Sequence, residues 1–233
     1  MTAPNFTPFE NTASDPPVRG FLHRPAAPPE ASLILTHGAG ANCQTPLLIA
    51  LADAFCQSGL TVLRCDLPFR QLHPHGPPRN SAQQDQAGLR SAVESVRGLG
   101  CSRLFLGGHS YGGRQASMLA ASEPDLVDGL LLLSYPLHPP RRPDQLRTQH
   151  FPRLHTPALF VSGSRDGFGS LDEITAALAL IPARTELLPV ESAGHELLNP
   201  RNRTTLAPHI VQAFRPFIES SAPGGDSPPH PVP

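Results

Sequence analysis

Short apolar runs alternate with longer stretches of helical periodicity along most of the chain. Residues 17–24 (PVRGFLHR) read as an early strand. In ASLILTHGAG the apolar run from Leu33 to Leu35 ends in glycines, the mark of a buried strand followed by a loop. Residues 46–58 (PLLIALADAFCQS) carry apolar groups at helical spacing, with Gly59 as a stop. LTVLRCDLP predicts the next strand, ended by Pro68. The stretch 69–80 holds three prolines and a glycine and predicts no regular structure. Residues 81–98 predict a helix with Leu89, Val93 and Val96 toward the core. SRLFLGG then reads as strand and YGGRQASMLAAS as helix. In LVDGLLLLSY the unbroken leucine run requires cover on both faces of a sheet. The segment from Pro136 to Pro157 is loop-like, with five prolines before Pro157 itself. Strand ALFVSG, a helix near 170–180, strand TELLPVE and a helix near 205–219 complete the pattern. The boundaries implied are a flexible lead-in over 1–16, one domain over 17–220, and a disordered Pro/Gly-rich tail over 221–233.

Strands alternating with helices predict the α/β class: a mostly parallel sheet of about seven to eight strands with helices on both faces. In such sheets ligands sit at the carboxyl ends of the strands. The informative residues therefore follow strand exits. Four exits stand out: His37-Gly38-Ala39-Gly40, Gly108-His109-Ser110-Tyr111-Gly112, Gly163-Ser164-Arg165-Asp166-Gly167-Phe168-Gly169, and Ser192-Ala193-Gly194-His195-Glu196.

The pattern G-x-S-x-G is weak by itself. Here it lies between an apolar strand and a helix, where a nucleophile elbow would be. A serine lifted clear of a sheet on a strained turn forces strand and helix together two residues before and two after it. Residues without a Cβ fit there, hence Gly108 and Gly112. The serine hydroxyl needs a base, and His195 is the candidate. The imidazole needs an acid to fix its tautomer, and Asp166 is the candidate. Taken singly, a helix N-cap accounts for Ser110, a turn aspartate for Asp166 and a loop histidine for His195. All three at strand exits, in the order Ser…Asp…His, favour a triad. The oxyanion amides fall to Tyr111 and to the loop after LILT, Ala39 before Gly40; a plain glycine-rich turn is the alternative for that loop. His37 is placed to support the loop or to touch substrate. Phe69, Leu137 and Phe168 are candidates to wall the acyl pocket, or equally to fill the core.

The segments LTHGAG, FLGGHSYGGRQAS, LLLLSYPLHPP, LFVSGSRDGFGS and AGHEL resemble the α/β-hydrolase family related to testis-expressed protein thirty and to subunit three of the NSL chromatin complex. Bacterial members are described as dienelactone-hydrolase-like. The resemblance runs from about Ser32 to Leu197, with SYPLHPP and DLPFRQ as its more specific segments. It implies an eight-stranded α/β-hydrolase fold and puts the triad roles on Ser110, Asp166 and His195. Eukaryotic relatives include proteins with scaffolding roles. Dienelactone hydrolases proper carry a cysteine at the elbow, where this sequence has serine.

Composition narrows the chemistry further. All 18 Lys+Arg residues are arginine, which excludes Schiff-base, Walker-A and kinase-lysine mechanisms. A net charge of −1 provides no global attraction to nucleic acid or anionic membrane. The start, MTAPNFTPFENTASDPP, has neither a basic nor an apolar leader region, and no apolar run is long enough to span a membrane. A cytoplasmic setting with four reduced, buried cysteines is expected. Arg70, Arg79, Arg141, Arg142 and Arg147 lie in loops on the active-site side; they form either a rim for an anionic substrate or solvated loops. Arg114 reads as structural. His138 flanks the loop with His150, without the further ligands a metal needs, so no metal and no organic cofactor is expected. Only about twenty residues separate Tyr135 from Ala158, too few for a large cap domain. The sequence thus points to a serine hydrolase acting on a small ester or thioester. The alternatives are a peptidase or lipase of the same chemistry, or a non-catalytic interaction module on the same fold.

Overall fold

The structure is a computed structural model, and it describes residues 6–220. The expected tail over 221–233 lies outside the described residues. Eight strands form one sheet: β1 (Phe6–Asn11), β2 (Val18–His23), β3 (Ala31–Thr36), β4 (Leu60–Cys65), β5 (Leu104–His109), β6 (Gly129–Leu133), β7 (Ala158–Gly163) and β8 (Thr185–Val190). Their order is β1-β2-β4-β3-β5-β6-β7-β8. β2 runs antiparallel to both of its neighbours, and all other pairs are parallel. The helices are α1 (Pro46–Gln57), α2 (Pro68–Leu72), α3 (Ala82–Arg97), α4 (Tyr111–Ser122), α5 (Leu171–Leu178) and α6 (Leu206–Ser220).

Strand alternation explains the leucine run. Leu130 and Leu132 enter the core layer shared with α3 and α4, while Leu131 and Leu133 enter the layer under α1 and α6. Leu106 and Phe105 divide in the same way on β5. Between β6 and β7 only a single 3-10 turn, Phe151–Arg153, interrupts the loop, so no large cap covers the sheet edge. No described helix is long and apolar enough to cross a membrane.

Two local expectations are corrected. The lead-in over 1–16 contains β1, which pairs antiparallel with β2. Pro8 is compatible with an edge strand, where one missing N–H costs no ladder bond. Phe6 gives the strand its anchor: its ring meets Phe21 edge-on at 5.5 Å, and the Arg64 guanidinium lies 5.1 Å from each of the two rings. The irregular stretch 69–80 begins inside α2, because Pro68 occupies the first turn, where a missing N–H is harmless.

Buried histidines tie the flanks together. His150 Nε2–H donates to Ser117 Oγ at 2.8 Å, and Ser117 Oγ donates to the Arg114 carbonyl at 2.9 Å. His23 Nε2 accepts from Arg64 Nε at 2.9 Å. Burial and neighbouring arginines lower both imidazoles to about 4. The unfolded chain therefore takes up protons below the ordinary value of about 6.5 that the fold refuses. Stability is full above that value and falls as pH drops toward 4, by up to about 1.4 kcal/mol per pH unit for each histidine. Urea denaturation between pH 7 and 4 should show a falling midpoint; a level midpoint would contradict the neutral assignment.

Candidate active site

From β3 the chain passes to β4 on one side and later to β5 on the other. The loops leaving β3 and β5 therefore diverge and open a crevice at the carboxyl ends of these strands. Ser110 lies there, between β5 and α4, with φ 51° and ψ −114°, a strained setting for a residue with a side chain. Strand and helix are as close as the glycine pattern predicts. A Cβ on Gly108 would stand 2.8 Å from the Gly112 carbonyl carbon, and one on Gly112 would stand 2.5 Å from the His37 carbonyl oxygen.

His195, in the loop after β8, brings Nε2 to 2.8 Å from Ser110 Oγ. Its Nδ1 lies 2.9 and 3.0 Å from the two Asp166 oxygens. A carboxylate only accepts, so Nδ1 carries the proton and Nε2 faces the hydroxyl as acceptor. The Asp166 carboxylate is 2 % exposed and also accepts from Phe168 N–H at 2.9 Å. Phe168 stacks on the His195 ring, 4.1 Å between centroids and 26° between planes, which limits tilting of the imidazole. Hydroxyl, imidazole and carboxylate in this order can pass a proton from Oγ to Nε2 while Asp166 stabilises the imidazolium.

A cavity of about 650 Å³ opens over Ser110. Its wall includes Ala39, Gly40, Tyr111, Phe168 and His195. The β3 exit loop is oriented by peptide geometry. The Gly38 carbonyl accepts from His37 Nδ1 at 2.8 Å and from Ala41 N–H at 3.1 Å. In a trans peptide the next N–H points the opposite way, so the Ala39 amide is directed away from these anchors. Tyr111 is the first residue of α4, where the N–H has no intrahelical acceptor. The Tyr111 amide at the helix N-terminus directly follows Ser110, and Ala39 lines the same cavity, an arrangement suited to a developing negative oxygen.

Several sequence candidates do not reach the cavity. His37 is fully buried; its Nε2 accepts from Leu67 N–H at 3.1 Å, so the ring braces the β3 and β4 exits. Phe69 packs edge-on against Tyr111 at 5.7 Å. Arg70 is buried, and its donors go to backbone carbonyls: Nε to Ala41 at 2.7 Å, one terminal nitrogen to Ala39 at 2.8 Å and Gly76 at 3.0 Å, the other to His73 at 2.9 Å. Leu137 packs beneath Gly169. His138 is turned to the Pro139 carbonyl at 2.9 Å and to Glu173 at 3.5 Å. Of the side chains predicted to wall the acyl pocket only Phe168 lines the cavity, and of the five rim arginines only Arg147 does.

Other residues were not legible as part of the site. His109 Nε2–H donates to the His195 carbonyl at 2.8 Å, which holds the base loop against β5. Burial keeps both His109 and His37 below the usual imidazole range, hence neutral. The fully buried Asp85 accepts from Phe69 N–H at 3.0 Å, Ser81 Oγ at 2.8 Å and the Tyr111 hydroxyl at 2.7 Å, and so ties α3 to the elbow helix. Position x of G-x-S-x-G marks His109, but nothing local marks Asp85. Arg114, read as structural, lines the cavity beside Arg147, which was among the predicted rim arginines.

Among the described residues no group of three or more His, Cys, Asp or Glu is placed to hold a metal ion. The described cysteines are free; three are buried and Cys101 is partly exposed, against the expectation that all four are buried. Burial and Asp66 push the Cys43 thiol up, so it is no thiolate nucleophile.

A family model described as an alpha/beta hydrolase domain matches residues 29–219. Solved structures share the architecture. A dienelactone hydrolase from Anabaena variabilis is 20 % identical with a TM-score of 0.71, over 91 % of this chain and 98 % of that one. A Xanthomonas campestris protein described as an α/β serine hydrolase without a lid is 17 % identical with a TM-score of 0.71, over 97 % and 99 %. An α/β serine hydrolase homologue from Coxiella burnetii is 16 % identical with a TM-score of 0.67, over 95 % and 99 %.

Proposed function

The chain belongs to the alpha/beta hydrolase domain family, and from that premise we propose that it is a serine hydrolase cleaving a carboxylic ester or thioester. The observation that carries this reading is the unbroken relay from Ser110 Oγ to His195 at 2.8 Å and on to Asp166 at 2.9 Å, at the mouth of an open cavity. Ser110 Oγ attacks the carbonyl carbon as its proton moves to His195 Nε2. The Tyr111 and Ala39 amides, with Gly40 beside them, hold the resulting oxyanion. Collapse of the tetrahedral species breaks the bond to the alcohol or thiol, which takes the proton from His195. A water deprotonated by His195 then attacks the acyl-enzyme and frees the acid and Ser110. Every step uses groups of this chain and water, so neither a metal nor an organic cofactor enters the scheme.

A binding module on the same fold is disfavoured by the cavity itself, since the 136–157 segment walls it at Pro136 and Arg147 without closing it. The short segment also argues against a lipase lid. We further propose, from the resemblance of its SYPLHPP and DLPFRQ segments, that the chain is related to testis-expressed protein thirty and NSL subunit three, and that its setting is cytoplasmic.

The test is fluorophosphonate labelling followed by peptide mapping, with turnover of p-nitrophenyl esters from acetate to octanoate. Label on Ser110 with turnover of the shorter esters is the expected result. A folded protein showing neither would overturn the hydrolase reading.

A further inference from the structure

Arg114 lies one turn beyond Ser110 on α4, its N–H bonded to the Ser110 carbonyl at 3.0 Å. That bond closes the first turn of α4, and Arg114 lines the same cavity as the nucleophile. Arg147 comes from the segment between β6 and β7. Its carbonyl accepts from the Tyr135 hydroxyl at 2.6 Å, and its N–H donates to the Leu137 carbonyl at 2.8 Å. The bond of His150 to Ser117 pins this segment onto α4. Both guanidinium-bearing residues line the catalytic cavity.

Their charges are not compensated within the protein. Among the described residues neither arginine has a carboxylate within ion-pair distance, and Arg114 Nε is buried with no hydrogen-bond partner. Arg147 donates to the Pro136 carbonyl at 3.3 Å, a weak contact. Burial and the positive charge of Arg114 together hold Arg147 below the ordinary guanidinium range. The other groups facing the pair are phenols and a neutral imidazole: Tyr111, Tyr135 and His150. Glu196 also lines the cavity, but it is exposed and its field acts on His109, at the His195 end. Two partly buried cations side by side, with an unused donor, are costly unless an anion completes them.

Resting on the hydrolase reading above, we propose that Arg114 and Arg147 form an anion subsite for the acyl half of the substrate. The substrate class is then an ester or thioester whose acyl chain ends in a carboxylate, as in the monoester of a dicarboxylic acid. The directions around the tetrahedral carbon assign the half. The leaving group must face His195 Nε2 to receive its proton, and the oxyanion must face Ala39 and Tyr111. The remaining substituent, the acyl chain, is left to the side walled by Arg114, Pro136 and Arg147. Planar guanidinium forks match a carboxylate in two-point contact, which supplies both charge and direction.

The experiment compares p-nitrophenyl monoadipate with its methyl-capped, neutral counterpart on the full chain. The expected kcat/KM ratio of anionic to neutral ester is at least about tenfold, and it falls about tenfold in Arg147→Gln and in Arg114→Gln. Arg147→Lys keeps part of the ratio, and Arg142→Gln, in the exposed part of the same loop, keeps it whole. A wild-type ratio near one, or a ratio unchanged in both glutamine variants, overturns the subsite. Titration of adipate onto Ser110→Ala by calorimetry separates this result from the hydrolase reading. Adipate binding that disappears on adding Arg147→Gln supports the subsite even when no ester is turned over. No heat with millimolar adipate overturns it whether or not esters are hydrolysed.

Discussion

Ser110→Ala is expected to lower kcat for p-nitrophenyl butyrate by at least about 10³-fold, with the melting temperature nearly unchanged. The substitution removes the 2.8 Å bond between the hydroxyl and His195. The imidazole stays anchored by Asp166 on its other nitrogen and by the stacked Phe168 ring. Folding is therefore little affected. In the proposed mechanism the substitution removes the atom that forms the acyl-enzyme, and the remaining groups assist only direct attack by water. Because hydroxyl, imidazole and carboxylate act as one unit, adding His195→Ala to Ser110→Ala should cost little more. Steady-state rates on the two single variants and the double variant test this. Additive effects in the double variant, or wild-type turnover in Ser110→Ala, would break the relay mechanism.

The juxtaposition of Ser110, His195 and Asp166 was readable because each residue leaves a local mark. Gly108 and Gly112 record the crowding of strand and helix, and Asp166 and His195 each follow an apolar strand. The continuous run Leu130–Leu133 announced a sheet covered on both faces, and the structure divides it between two core layers. What could not be read depends on distant contacts. Pro8 and the polar residues around it hid β1, whose register is fixed by Phe6 against Phe21 and Arg64. Asp85 and Tyr111 lie on separate helices 26 residues apart, and only the fold brings their oxygens to 2.7 Å. The arginines show the same limit. Arg70 and Arg147 looked alike in sequence, yet one is engaged by carbonyls and the other faces the cavity.

That engagement makes Arg70→Lys the second large effect. One planar guanidinium donates to the carbonyls of Ala39, Ala41, His73 and Gly76, and so joins the β3 exit loop to the segment after α2. The Ala39 carbonyl and the Gly40 N–H belong to one peptide plane, so the clamp directly orients Gly40 N–H, the second candidate donor, and holds the Ala39 amide only through the adjoining chain. A lysine ammonium is a single point with three donors and cannot span four carbonyls. Removing an oxyanion donor outright costs about 10² to 10³ in kcat, so an amide left free to rotate should cost about 10 to 10². The carbonyls left without donors destabilise the fold by roughly 1–3 kcal/mol each where they stay buried, and the melting temperature should fall by several degrees. The effect should appear in kcat far more than in KM, because the clamp acts on amides that tighten on the oxyanion and not on the ground-state ester. A lysine variant with wild-type kcat and only a lowered melting temperature would mean that Arg70 fastens the loop without orienting it. A fall in kcat of equal size in Arg70→Lys and Arg70→Ala would show that the fork geometry, and not the positive charge, holds the amides in line.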